Sequence, residues 1–208
     1  MPLRKICWIV FAVLALDQAF KVYIKLNYSL TFYGSDAIID LGWFRLLFVE
    51  NKGMAWGARL NDILPFISDN TAKLLLSIFR LLAVSAIGYW LIRAAKTAMP
   101  KGQLIAVSLI FAGALGNIID SVFYGVLFSN SYGQIAAFLP AEGGYAPLMF
   151  GHVVDMLQFP MFTWTWPEWM PFFGGNSFTF FEPVFNIADS AISVGAILLL
   201  LKTRKGTA

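Results

Sequence analysis

The twenty residues QLIAVSLIFAGALGNIIDSV, positions 103–122, decide the architecture. They are overwhelmingly apolar and just long enough, as a helix, to cross a hydrocarbon core of ~30 Å, which takes ~20 residues. Three further stretches, 6–24, 74–92 and 185–201, read the same way. Lipid offers no partner for an exposed backbone amide, so each is expected to be helical. The whole chain agrees: 59% of its residues are apolar and only 13% charged, too little polar surface for a soluble domain of 208 residues. The expected class is an all-α membrane protein with four transmembrane helices, and residues 1–208 are read as a single integral membrane domain.

The net charge of +3 is not a nucleic-acid signal, because the basic residues gather at the ends of the apolar runs. Arg4 and Lys5 precede the first run; Arg93, Lys96 and Lys101 fill the connection between the second and third; Lys202, Arg204 and Lys205 follow the last. The positive-inside rule puts both termini and that connection in the cytoplasm, so that segments 25–73 and 123–183 face outward. The first run is read as a retained helix, since Asp17 and Lys21 interrupt it and no small-residue cleavage site follows. Cys7, the sole cysteine, excludes an internal disulfide and a cysteine-rich metal site. In the first outer segment Leu30-Thr31-Phe32-Tyr33 and the run from Trp43 to Val49, punctuated by Gly34, Gly42, Gly53 and Gly57, suggest a small sheet on the outer surface. The second carries Trp164, Trp166, Trp169, Phe172, Phe173, Phe178, Phe180 and Phe181, an aromatic composition suited to the headgroup level.

Against this background the polar residues near the outer helix ends stand out. An ionisable group inside a span costs about 2.5–3.5 kcal/mol on insertion scales and is a functional candidate by default. Asn117 and Asp120 lie three apart, hence on one helix face, behind Gly113, Ala114 and Gly116, which let another helix approach. Asn186 and Asp189 repeat the spacing at the outer start of the last helix, where the helix dipole favours an anion. Asp155, in the outer connection between them, and Asn51, in the other outer segment, fall in the same layer. Plainer roles exist for some: Asp17 and Lys21, four apart, neutralise one another as a structural pair; Asn186 suits a helix cap; Asn117 with Asp120 suits a packing network. Asp155 and Asp189 have no basic neighbour in sequence, and two such carboxylates near lipid share or handle a proton. His152 stands without a second histidine, which argues against a metal site.

These motifs resemble a known family. The stretch Asn51-Lys52-Gly53-Met54-Ala55-Trp56-Gly57, then Gly116-Asn117-Ile118-Ile119-Asp120, then Val153-Val154-Asp155, then Phe185-Asn186-Ile187-Ala188-Asp189-Ser190-Ala191 are together similar to the lipoprotein signal peptidases, or signal peptidase II. The Asp17-Gln18 to Lys21 element matches as well, and the motifs keep the family's order over nearly the whole chain. The resemblance implies a membrane aspartyl endopeptidase of the bacterial inner membrane. Its substrates would be diacylglyceryl-modified prolipoproteins, cut before the lipid-bearing cysteine, and globomycin would inhibit it. It further implies that Asp155 and Asp189 are the catalytic pair, that Asn51, Gly53, Asn117, Asp120 and Asn186 support the site or contact substrate, and that a small β-cradle follows the first helix on the periplasmic side. No metal or organic cofactor is implied, and no nucleic acid; membrane lipid is the other expected partner. Two departures are visible: Ser121 stands where family members carry a basic residue after the aspartate, and the segments around 121–150 and 159–181 are longer than usual.

The residue types suit the implied chemistry. Two facing carboxylates that share one proton can activate water and protonate a leaving amine, with base and acid unassigned from sequence. The alternative from a different class is a proton-coupled small membrane transporter component, which would place its acids near the bilayer midplane. A purely structural subunit with polar networks is a third reading.

Overall fold

The computed structural model describes residues 1–31, 36–51, 67–97 and 99–204, with side chains through Lys202. Four long helices carry the chain: α1 (Leu3–Asn27), α2 (Asp69–Ala94), α3 (Lys101–Ile119) and α4 (Ile187–Arg204). Beyond α3 the chain continues as a π-helical turn, Asp120–Tyr124, and a last helical turn, Gly125–Leu127. Among the described residues, Leu3–Asn27, Asp69–Ala94 and Lys101–Leu127 are long and apolar enough to cross a membrane.

Local chemistry sets the helix ends. Ser68 caps α2 by accepting from the Thr71 amide at 3.2 Å, with Asp69 in the first turn against the positive end of the dipole. Pro100 directly precedes α3, where its missing N–H removes no helical hydrogen bond. Helix α3 is the central element and packs on the other three. Its approach to α4 depends on missing side chains: a Cβ on Gly113 would lie 2.2 Å from the carbonyl oxygen of Ala188, and one on Gly195 of α4 would lie 2.6 Å from that of Ala106. Residues larger than glycine there would force the two backbones apart. The outward flanks of α1 and α2 leave Trp8, Phe11, Leu16, Phe79, Leu82 and Tyr89 exposed, as lipid contact requires.

Beside the helices lies an antiparallel sheet in the order β1 (Ile39–Asp40), β2 (Arg45–Asn51), β3 (Val153–Gln158). The sequence reading expected strands only within the first outer segment. The structure adds β3 from the second, paired to β2 across roughly a hundred residues of chain, with Val49 opposite Asp155 and Asn51 opposite Val153. Of the expected run Leu30-Thr31-Phe32-Tyr33, the described residues Leu30 and Thr31 are not strand; the Thr31 amide donates to the Phe48 carbonyl at 2.9 Å and its hydroxyl accepts from the Phe48 amide at 2.9 Å. Phe32 and Tyr33 fall outside the described residues. Phe48, Val154, Met156, Tyr124 and Phe128 form the core under this sheet. A separate hairpin, β4 (Phe162–Thr165) with β5 (Ser177–Phe180), projects from the chain between β3 and α4.

Candidate active site

Asp155 is placed by β3. Successive strand residues alternate faces, so Asp155 and Val153 share one, and Asn51 opposite Val153 becomes a diagonal neighbour of Asp155. Asn51 Nδ2 donates to Asp155 Oδ2 at 3.2 Å. On its other edge β3 meets the residue that precedes the α4 cap: the Leu157 amide donates to the Phe185 carbonyl at 2.8 Å, and the Phe185 amide donates back to the Leu157 carbonyl at 2.9 Å. This bridge delivers the start of α4 to Asp155.

The start of α4 is a reciprocal capping box. Asn186 Oδ1 accepts from the Asp189 amide at 2.8 Å, and Asp189 Oδ2 accepts from the Asn186 amide at 3.3 Å. The cap leaves the Asn186 amide group free to work elsewhere. Its Nδ2 donates to Asp155 Oδ1 at 2.7 Å, with further contacts to Asn117 Oδ1 at 3.1 Å and the Val154 carbonyl at 3.3 Å. Asn117 Nδ2 in turn donates to Asp189 Oδ1 at 2.7 Å. Asp155 and Asp189, 34 positions apart in sequence, are therefore joined through two asparagine side chains.

A buried charge network lies beneath. Lys21 Nζ is 2.9 Å from Asp17 Oδ2, 2.7 Å from Asp120 Oδ2 and 3.0 Å from Asn117 Oδ1; Asp17, Lys21 and Asp120 are all fully buried. Gln18 Nε2 donates to Asp120 Oδ1 at 2.8 Å, and the Tyr124 hydroxyl donates to Gln18 Oε1 at 3.1 Å. Two backbone amides close the set: Ala188 in the first turn of α4 donates to Asp17 Oδ1 at 2.9 Å, and Val154 donates to Asp120 Oδ2 at 3.3 Å. One lysine thus ties α1 to α3, while its carboxylate partners grip α4 and β3.

Electrostatics distinguish the members. Burial pushes the Asp155 carboxyl up to about 7, and the neighbouring Asp189 charge pushes the same way against the Asn51 and Asn186 hydrogen bonds. Asp189 is less buried than Asp155. Lys21 brings positive charge to Asp155, and Arg80 of α2 acts on Asp189 more than on Asp155. At the same end of β2, directly before Asn51, Glu50 forms an ion pair with Lys25 that also engages Ser131, and Lys25 faces the rings of Phe48, Phe128 and Tyr145. His152 Nδ1 is 2.9 Å from Glu50 Oε2. With burial working the other way, His152 and Lys25 hold the Glu50 carboxyl down at about 2.

Of the residues singled out from sequence, Asp17, Lys21, Asn51, Asn117, Asp120, Asp155, Asn186 and Asp189 fall within this connected group. Gly53 lies outside the described residues. Asn186 is a helix cap and a donor to Asp155 at once, so the two roles left open for it coincide. Sequence reasoning missed Arg80, although it is the single charge in the run 74–92 and a lone arginine inside a span is a signal. It also missed Gln18 as a link and Glu50 as the partner of Lys25 and His152.

Residues 9–205 match a family model described as signal peptidase (SPase) II. A lipoprotein signal peptidase of Porphyromonas gingivalis (strain ATCC BAA-308 / W83) is 43% identical over 197 residues, covering 93% of this chain and 80% of that protein. One from Amoebophilus asiaticus (strain 5a2) is 35% identical over 193 residues, covering 91% of this chain and 73% of that protein. A solved structure described as "Bacterial membrane enzyme structure by the in meso method at 1.9 A resolution" shares the fold, with a TM-score of 0.59 at 24% identity over 96% of this chain and 92% of that one. With three helices apolar enough to span a bilayer and this match along nearly its whole length, the chain is a multi-pass membrane protein belonging to the signal peptidase II family.

Proposed function

We propose that this protein is an aspartyl endopeptidase that removes the signal peptide from diacylglyceryl-modified prolipoproteins, cutting before the lipid-bearing cysteine, with Asp155 and Asp189 as the catalytic pair. The observation that carries the reading is the asparagine link between the two acids, Asn186 to Asp155 and Asn117 to Asp189, each at 2.7 Å. The relatives' names, lipoprotein signal peptidase, support the substrate class, and a proton-coupled transporter component has no such support.

Peptide hydrolysis needs a base for water and a proton for the departing amine, and two close carboxylates with one proton between them supply both. The buried, proton-favouring Asp155 is the member suited to hold that proton and polarise the scissile carbonyl. Asp189, in the first turn of α4 at a helix N-terminus, is then the partner that takes a proton from water. The proton then passes to the amine as the tetrahedral intermediate collapses. Asn51, Asn117 and Asn186 hold the carboxylates, Asp120 with Lys21 and Asp17 holds the elements that carry them, and Gly53 belongs with the substrate-facing residues. No metal or organic cofactor enters this chemistry.

In the same reading α4 is a fourth span, its 18 residues rising about 27 Å at 1.5 Å each, within one membrane domain over residues 1–208. The basic residues at the helix ends support a topology with both termini in the cytoplasm of a bacterial inner membrane and the site at its outer, periplasmic face. A substrate already embedded by its acyl chains, at about 0.8 kcal/mol per buried methylene, arrives at that depth without leaving lipid. The test is cleavage of a diacylglyceryl-modified prolipoprotein by the purified protein in detergent or lipid. Wild type should release the signal peptide, chelator should change nothing, and Asp155→Asn and Asp189→Asn should each abolish release in a folded protein. Release that survives either substitution refutes the pair.

A further inference from the structure

The β4–β5 hairpin is two-faced. Its register pairs Phe162 with Phe180, Thr163 with Thr179, Trp164 with Phe178 and Thr165 with Ser177. Alternation along each strand therefore puts the four aromatic residues on one face and the four hydroxyl residues on the other. The hydroxyl face completes its own hydrogen bonds, Thr163 to Thr179 at 2.9 Å and Thr165 to Ser177 at 3.3 Å. The aromatic face is a stacked surface, with Phe162 and Phe180 centroids 5.1 Å apart and Trp164 and Phe178 4.6 Å apart, yet neither buried core cluster includes it. A two-stranded hairpin with a bare aromatic face is marginal in water and calls for a cover.

We infer that this hairpin lies on the bilayer at its lipid–water boundary, with Phe162, Trp164, Phe178 and Phe180 turned into lipid and the hydroxyl face turned to water. Where the hairpin is rooted argues for lipid over a protein cover. Its base ends at Phe185, the residue before the α4 cap. The next turn of α4 binds Asp17 of α1 and packs at Gly116 of α3, so the root sits at the level of two membrane-spanning helices. Phe181, Phe185, Phe159 and Phe44 form an unbroken chain of rings from the hairpin to the β1–β2 turn, with centroids 5.1–5.8 Å apart. Composition agrees, since the chain from 121 to 201 contains no lysine or arginine and the hairpin's own surplus is tryptophan and phenylalanine. At the tip Trp169 is 78% exposed, and Phe172, in the left-handed region at φ 69°, is 96% exposed. The inference goes beyond the peptidase reading and stands without it.

The test reads each face directly in the full chain. In a Cys7→Ser background, nitroxide labels are placed through Trp164→Cys and Phe178→Cys on one face and Thr165→Cys and Ser177→Cys on the other, and the protein is reconstituted into phosphatidylcholine vesicles. Labels on the aromatic face should favour oxygen over a water-soluble nickel relaxant several-fold, and labels on the hydroxyl face should show the reverse. Equal nickel access on both faces overturns the inference, as does an aromatic face shielded from both relaxants, which would mean a protein cover such as a second copy. An independent measurement keeps a ring at every aromatic position: brominated phosphatidylcholine should quench tryptophan emission of the wild type. That quenching should fall in a Trp164→Phe, Trp166→Phe, Trp169→Phe triple variant, and an unchanged quenched fraction counts against the proposal.

Discussion

Asn186 Nδ2 lies 2.7 Å from Asp155 Oδ1 while the same side chain, through Oδ1, caps the helix that carries Asp189. One amide thereby fixes both acids, and its two ends can be separated by substitution. Asn186→Ala should lose both functions: kcat/KM falls by about 10²–10³, the usual cost of a lost site donor, and stability falls by about 1 kcal/mol for the cap. Asn186→Ser keeps a capping oxygen but not the donor, so its Tm in detergent should stay near wild type while cleavage falls as far as in the alanine variant. Equal stability losses in the two variants would detach the cap from the link.

The Asp155 carboxyl, raised from its ordinary 3.8 to about 7, sets a pH dependence whose sign can be worked out. A folded-state value above the unfolded one contributes stability that is full below the unfolded value and is lost as pH rises through about 7. Between about pH 5 and about pH 8 wild type should therefore lose Tm relative to Asp155→Asn, which has no charge to bury. Cleavage should decline over the same rise, since the pair then gives up its shared proton. A Tm difference that stays flat with pH contradicts this assignment.

Arg80 brings positive charge from α2 to Asp189 and, less strongly, to Asp155, which also feels Lys21. Arg80→Gln removes it, so protons bind the pair more readily and the acid limb of the pH–rate profile should move to higher pH. kcat/KM should fall roughly 10–100-fold, a loss of about 1.4–2.8 kcal/mol. Arg80→Lys should recover part of both effects. A general packing defect would lower the rate without moving the limb.

Lys21 stands between Asp17 and Asp120 with all three side chains fully buried. Lys21→Met strands two carboxylates and should cost roughly 3–5 kcal/mol of stability, measured by thermal unfolding in detergent. In that background Asp120→Asn removes one stranded charge, so the double variant should be more stable than the sum of the single losses. Simple additivity would show that the ion pair is not the source of the cost.

The helices and the acids were legible because both rest on local signals. An apolar run of membrane length needs no long-range information, and Asn186 with Asp189 at a helix start is a local pattern. Strand β3 was not legible: Val153 to Gln158 is short, and the partner that makes it a strand is β2, far away in the chain. The π-helical turn at Asp120–Tyr124 leaves no compositional mark either. Arg80 was visible but overlooked, because a net apolar window hides one charge. The hairpin's alternation, Phe-Thr-Trp-Thr and Ser-Phe-Thr-Phe, carried a period-2 signal that the aromatic composition overshadowed.

The paired backbone bonds between Leu157 and Phe185 close the excursion that holds the hairpin, so everything between them is a loop with both ends clasped. Asp155 lies just before the clasp and Asn186 just after it. The distance between these two residues is consequently set at the clasp, and not by the length of the excursion beyond the residues that pack on it, such as Phe159 and Phe181. A lineage can lengthen, shorten or rewrite that segment to suit its own envelope while the acid and the amide keep their spacing, and an engineer can graft a tag there on the same grounds.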